Sequence, residues 1–427
     1  MITGAGTEQE TGTGSTGAGR AALPPTEIER RLHAAHEPAR DGGSGAGPGG
    51  EGRRANAKEG RNGAARTDAV LDVLSGTRLY LLVPRLYADT PGYAPPLPTH
   101  RDPVTGRTCV PVLTPGVLPP WHPEWVFRQI TLGELARIWP DNGWQLAVNL
   151  GTRFAVTLDA RPKHRKAWED ACARTGAQLG GRLLTHSGGP LHGPLAHGLA
   201  LGAQLAVHNG LVWNQLGAAY EDYATDIARL RSPWGVHNRA DYRETLDALL
   251  TTRLVGRVQE SVLHTRRRLV RRLGRTPSYQ EWSAAVSSTL HAHDASAAEL
   301  AEADNTLRAV VRYEERFRAD GALAPEGRVD TLAAFDLGRA VNVVRLALGA
   351  RYITPPEAEQ AVLTLGEAAR TAYTSWAGFS LGYALTRVLH FDQDGAEIAE
   401  RKYQESLAQH RILTQDPTSP YRNIPWS

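Results

Sequence analysis

Three places in the sequence set out residues whose types and spacing could do chemistry. The first is GFSLG, Gly378 to Gly382, which fits the GxSxG pattern of a nucleophile elbow. That motif works when a strand–turn–helix lifts the serine into a strained, exposed position. Asp392 and His410 follow Ser380 in the Ser–Asp–His order of such hydrolases. Yet the flanks AARTAYTSWA and YALTRVL carry helical spacing, with no strand to launch the turn. No catalytic residue is therefore assigned, and a cryptic hydrolase remains the last of three functional readings.

Metal and phosphate chemistry fares no better. His291, His293 and Asp294 stand together in HAHD, but in a polar Ala/Ser-rich stretch that reads as a surface loop. His186, His192, His197 and His208 are spread through a Gly/Pro-rich linker and a helix start, too loosely for a zinc site. DQDGAE from Asp392 begins like a calcium loop, but Gly395 comes too early and no glutamate stands at the twelfth position. No GxxxxGK[ST] phosphate loop occurs. Neither a metal nor a cofactor is expected.

The second place is TRRRLVRRLGRTPSYQEW, where Arg266, Arg267, Arg268, Arg271, Arg272 and Arg275 cluster on one predicted helix. A capped turn and a second helix follow, an arrangement faintly similar to the helix–turn–helix entry of sigma factors. Arg267, Arg271 and Arg275 are the candidate phosphate contacts of a DNA-binding regulator. Acidic residues in the next helix, SAAELAEADNTL, offer internal neutralisation instead.

The third is AFDLGRAVNVVRLALGARYITPPEAEQA, residues 334 to 361. It reads as a helix, a corner and a second helix: Gly349 ends the first, Thr354 caps the next, and Pro355 and Pro356 fill its first turn. Asp336, Arg339, Asn342 and Arg345 interrupt the apolar spacing at intervals of three. Neighbours three apart can pair, so Asp336 reaches Arg339 and Arg339 reaches Asn342. Each step of three also rotates backwards by about 60°, which sends Asp336 and Arg345 to opposite sides. The geometry leaves a structural ion pair, a ligand or partner groove and a catalytic role open, with the first preferred.

The elements that must position these residues follow from composition and pattern. The chain has 427 residues and a formal charge of +3, so no global field argues for nucleic acid or an acidic membrane. Lysine occurs only at 58, 163, 166 and 402, and with the abundant Ala and Gly this reflects a GC-rich genome. Cys109 and Cys172 form no CxxC pattern, which fits a reducing compartment. The opening residues lack a signal peptide's basic and apolar regions. LAHGLALGAQLAVHNGLVW is the best membrane candidate, but His197, Gln204, His208 and Asn209 make it too polar to span. A cytoplasmic protein with no membrane span is expected.

Residues 1–66 are nearly free of aromatics and read as a disordered tail, with PPTEIERRLHAAHEPAR at most a transient helix. Next, RLYLLVPRL and TCVPVLTPGVLPP read as strands. TLGELARIWPDNG is a short helix with Thr131 as N-cap, and WQLAVNLGTRFAVTL gives two further strands around a turn. Strand, strand, helix, strand, strand makes a small α/β module, taken as residues 67–187. LYLLVP, VPVLTPGVL and LAVNLGT in that order resemble the SseB-like N-terminal domain. From residue 198 to 427 long helical periodicity takes over, giving an α+β chain overall.

Four ordered motifs in that helical part carry a second resemblance: SPWGVHNRADYRETLDALL, the quoted 334–361 stretch, YTSWAGFSLGYALTRVL and DPTSPYRNIPW. Together they resemble the family catalogued as domain of unknown function 1266 (DUF1266), which implies a helical fold and no established activity. The polar pair and the motif tryptophans form one candidate groove or structural set: Asp336, Arg339, Asn342, Trp234, Trp376 and Trp426. The company of SseB-like modules implies a non-catalytic protein–protein interaction module, an adaptor or an immunity- or secretion-associated component. Its expected partner is another protein.

Overall fold

The computed structural model describes residues 26–36, 65–88, 90, 96–102, 105–119, 124–176, 179–186, 188–216, 219–220 and 223–427. Two secondary-structure regimes divide it. Helix α1 (Glu27–His36) and a helix over residues 65–75, α2, come first. They are followed by β1 (Leu79–Pro84), the single turn α3 (Arg85–Ala88), β2 (His100–Arg101), β3 (Thr108–Val112) and β4 (Trp125–Ile130). Helix α4 (Leu132–Ile138), β5 (Gln145–Val148), β6 (Val156–Asp159) and α5 (Pro162–Thr175) complete the mixed part.

The strands make two small sheets. One has the order β1-β4-β7, where β7 (Ala219–Tyr220) arrives from far down the chain; the other has the order β2-β3-β5-β6. A lone bridge between Tyr80 and Leu113 ties them together. Thr131 caps α4 in a reciprocal box: Glu134 N–H donates to Thr131 Oγ1 at 3.2 Å, and Thr131 N–H donates to Glu134 Oε2 at 2.7 Å. Strand β4 and helix α5 were not expected from the sequence. The polar pair Arg128–Gln129 breaks the apolar alternation of WVFRQI, and only pairing with β1, from Leu79↔Ile130 to Pro84↔Trp125, makes it a strand.

Helix α1 departs from the expected disordered tail. Ile28 and Leu32 are buried in the core of the mixed part, each contributing on the order of 1.5–3 kcal/mol against the cost of ordering the segment. Glu29, fully buried, accepts from the Gly116 N–H at 3.1 Å and from the Thr114 hydroxyl. A Cβ at Gly116 would stand 2.2 Å from Glu29 Oε2, so the carboxylate fits only over a glycine. The rest of the tail, residues 1–25 and 37–64, lies outside the described residues.

The remainder is helical: α6 (Gly193–Ala200), α7 (Ala203–Asn209), α8 (Tyr223–Trp234), α9 (Arg239–Leu250), α10 (Arg257–Leu273), α11 (Tyr279–His291), α12 (Ala297–Ala319) and α13 (Ala333–Gly349). Then come α14 (Pro355–Ala372), α15 (Trp376–Phe391), α16 (Ala396–Gln415) and the short α17 (Pro420–Asn423). Helix α13 is the hub: it packs against α7, α8, α9, α14 and α15, and most of its side chains are buried. The apolar run 195–213 falls on α6 and α7 and is core, with Leu199, Leu201 and Val207 fully buried. Among the described residues no helix is long and apolar enough to cross a membrane.

Candidate functional site

A hub helix buried on nearly all sides must satisfy its polar residues locally, and α13 does so on two faces. On the first, Asp336 is fully buried and accepts from the backbone N–H of Leu254 and Val255 at 3.0 and 2.9 Å. Arg339 donates to its other oxygen, and its guanidinium lies 4.1 Å from the Phe335 ring and 5.4 Å from that of Trp234. The carboxylate therefore pins the turn between α9 and α10 to the hub. Burial raises its pKa, and Arg339 and the two N–H groups act against that rise.

Half a turn away, Asn342 and Arg345 face a chamber of about 210 Å³ between α13 and the β1-β4-β7 sheet. Tyr80 and Gln129 come from the sheet side and are cross-strand partners, so both side chains stand on one face. Helix α8 contributes Asp226 and Arg229, and the loop after α7 contributes Gln215. Asp226 seats against bare backbone, since a Cβ at Gly349 would lie 2.0 Å from its Oδ2. Arg345 donates to the Trp213 carbonyl, while its Nε has no hydrogen-bond partner. The Tyr80 hydroxyl and Gln215 Nε2 are likewise buried without partners. Unpaired buried polar groups are costly, and three of them border this one cavity.

The motif tryptophans divide between sites. Trp234 belongs to the Asp336–Arg339 cluster. Trp376 and Trp426 instead build a C-terminal clasp, ring centroids 4.7 Å apart, with Tyr421 stacked on Trp376 at 4.5 Å. Trp376 Nε1–H donates to the Ile424 carbonyl at 2.7 Å, and Trp426 Nε1–H to that of Tyr373 at 2.9 Å. His197 is enclosed by both indoles, and burial, with Arg370 nearby, pulls its pKa down to about 4. The six candidate residues thus fall into three separate environments, with Asn342 in the chamber.

Ser380 lies inside α15, fully buried. His410 Nδ1 is 2.8 Å from its Oγ, and Gln204 Nε2 donates to the same oxygen at 2.6 Å. This contact links α7, α15 and α16 within the core. Asp392 is engaged elsewhere, accepting from the Arg312 guanidinium and from the Tyr313 hydroxyl at 2.6 Å. Burial holds His410 neutral, its pKa down at about 4. Among the described residues, no group of three His, Cys, Asp or Glu side chains is placed to hold a metal ion.

Helix α10 distributes its arginines inward and outward. Arg266 is buried in a two-pronged pair with Glu314, at 2.9 and 2.7 Å. Arg267 pairs with Glu260 at 3.0 Å, and Arg275 with Glu281 at 2.7 Å. Of the three candidate phosphate contacts, Arg271 alone is exposed with no ion pair among the described residues.

Tyr80, Gln215, Asp226 and Arg229 were not singled out in the sequence, and Arg345 was noted only as falling opposite Asp336. The sole advance signal was the interval-of-three polar series on an otherwise apolar helix. No curated protein and no solved structure matches the chain. Residues 229–426, from the second half of α8 to the C-terminal clasp, match the family model described as Protein of unknown function (DUF1266), so the C-terminal helical region is similar to that family.

Proposed function

We propose that the protein binds rather than transforms: it is a non-catalytic module whose polar chamber takes a small ligand. One observation carries this reading. The chamber draws its walls from both the sheet and the hub helix, and buried polar groups without partners point to it from each side. A ligand there would tie the mixed part to the helical region, because only the assembled chain makes the site. Thermal melts of the full chain against a panel of small polar metabolites test it. A binder should raise the melting temperature, as any ligand of the native state must. Asn342→Leu, which removes a lining amide from a half-buried position, should blunt that rise. A rise untouched by this change would place the ligand elsewhere and end the reading.

Contact with a partner protein is the second reading, that of an adaptor. Leu86, Tyr87 and Trp125 favour it: they share the end of the β1–β4 ladder and are 75%, 41% and 38% exposed. The SseB-like assignment of residues 67–187 and a secretion- or immunity-associated role belong to this reading. Two free thiols, Cys109 and Cys172, support a cytoplasmic setting. Changing Leu86 and Trp125 to Asp should abolish capture of any specific partner and leave the melting temperature unmoved. Undiminished capture would exclude the patch.

A further inference from the structure

Three buried groups of the chamber lining have N–H or O–H groups to spare, beside the acceptor oxygens of Gln129 and Asp226, and those three narrow what can fill it. Arg345 offers an N–H at Nε. Gln215, 7% exposed, offers the N–H groups of Nε2. Tyr80, fully buried, offers a hydroxyl. All three can donate, and two can do nothing else at the atom concerned.

Charge points the same way. Arg345 makes no ion pair among the described residues, and its guanidinium is pulled down to about 10 by burial, with no carboxylate acting on it. Proteins rarely bury an arginine without a counter-charge, because desolvation of the cation is then uncompensated. The described lining holds three guanidinium groups, Arg78, Arg229 and Arg345, against the single carboxylate of Asp226. At ~30 Å³ per liquid water, 210 Å³ holds about seven waters, enough for a compact acid.

We propose that the chamber is an oxyanion site: it takes a small carboxylate- or phosphate-bearing molecule whose oxygens accept from Arg345 Nε, Gln215 Nε2 and the Tyr80 hydroxyl. This rests on the chamber being a ligand site at all and adds the class of ligand. The anion supplies the missing counter-charge to Arg345, and the planar guanidinium edge suits a two-oxygen acceptor. Tyr80 and Gln215 then fix orientation.

Calorimetric titration of the full chain with inorganic phosphate and, separately, with malonate tests the proposal, ionic strength being held constant with chloride. Saturable binding of either is expected. Binding of phosphate alone assigns a phosphoryl ligand, and binding of malonate alone assigns a carboxylate one. Arg345→Gln should weaken it by about tenfold or more, the usual loss for a hydrogen bond to a charged group. Should that variant not fold, Tyr80→Phe carries the test. It removes only an unpartnered hydroxyl, so the unliganded melting temperature should stay level or rise while anion affinity falls by about threefold or more. A purely structural Tyr80 would give the reverse pattern.

Equal anion affinity in Tyr80→Phe, Arg345→Gln and the unaltered chain overturns the proposal. Erythritol or acetamide binding, lost in Asn342→Leu and unaccompanied by any anion binding, overturns the anion class but keeps the chamber as a site. Silence from the anions, the neutral probes and the metabolite panel alike removes both.

Discussion

Replacing Glu314 with alanine is expected to destabilise the chain by about 3–5 kcal/mol, the cost of leaving one partner of a buried ion pair alone. Glu314 and Arg266 have side chains only 4% and 5% exposed, so water cannot take over from the missing carboxylate. The loss goes beyond the pair. Glu314 Oε1 also accepts from the Val329 N–H at 2.7 Å, and Arg266 Nη2 donates to the Val329 carbonyl at 2.7 Å. One bidentate contact thus holds α10, α12 and the segment entering α13. Arg266 further lies 4.4 Å from the Trp282 ring, which brings in α11. Arg266→Met with Glu314→Leu should recover much of the loss, since neither charge is then stranded. Urea melts of the two single variants and the double variant decide it, and small additive losses would refute the account. Asp336→Ala, melted alongside, should cost less, about 2–3 kcal/mol. It orphans two N–H groups, but the Arg339 side chain is 23% exposed and can turn to water.

Those two pairs show what sequence could and could not tell. Asp336 and Arg339 are three apart on one helix, so their pairing is local and legible. The boxes Thr131–Glu134, Ser278–Glu281, Ser296–Glu299 and Thr354–Glu357 are legible for the same reason: donor and acceptor lie within one turn. Arg266 looked like part of a surface cluster because its partner lies 48 residues away on another helix. Glu29 looked like a tail residue because the Thr114 hydroxyl that receives it is 85 residues distant. The chamber is harder still. Tyr80 sits in an apolar strand, and nothing local says that its hydroxyl will meet a cavity closed by α13 more than 250 residues later. Arg345 could be read as opposite Asp336, but what it faces is set entirely by which element packs there.

Acidification is expected to destabilise the chain from pH 6.5 downward, and two buried histidines set the window. His197 and His410 have folded pKa values of about 4 against 6.5 for the free side chain. Burial is the main cause in both, aided by Arg370 beside His197 and Arg411 beside His410. Depressed values mean that the unfolded chain takes up protons first as the pH falls. Stability is therefore complete above about 6.5 and drains away between 6.5 and 4. By pH 5 each histidine should have removed about 2 kcal/mol, a large share of the ~5–15 kcal/mol typical of a folded domain. Asp336 and Glu260 oppose this, because burial raises their pKa values and the folded chain accepts those protons more readily. Comparison with a variant separates the two senses. His410→Gln keeps an amide within reach of the Ser380 hydroxyl but cannot take a proton. Its urea-unfolding free energy should fall by about 2 kcal/mol less than that of the unaltered chain between pH 7.5 and pH 5. Parallel decline of the two proteins would show that His410 already titrates normally in the folded chain, and that the α7–α15–α16 core admits water.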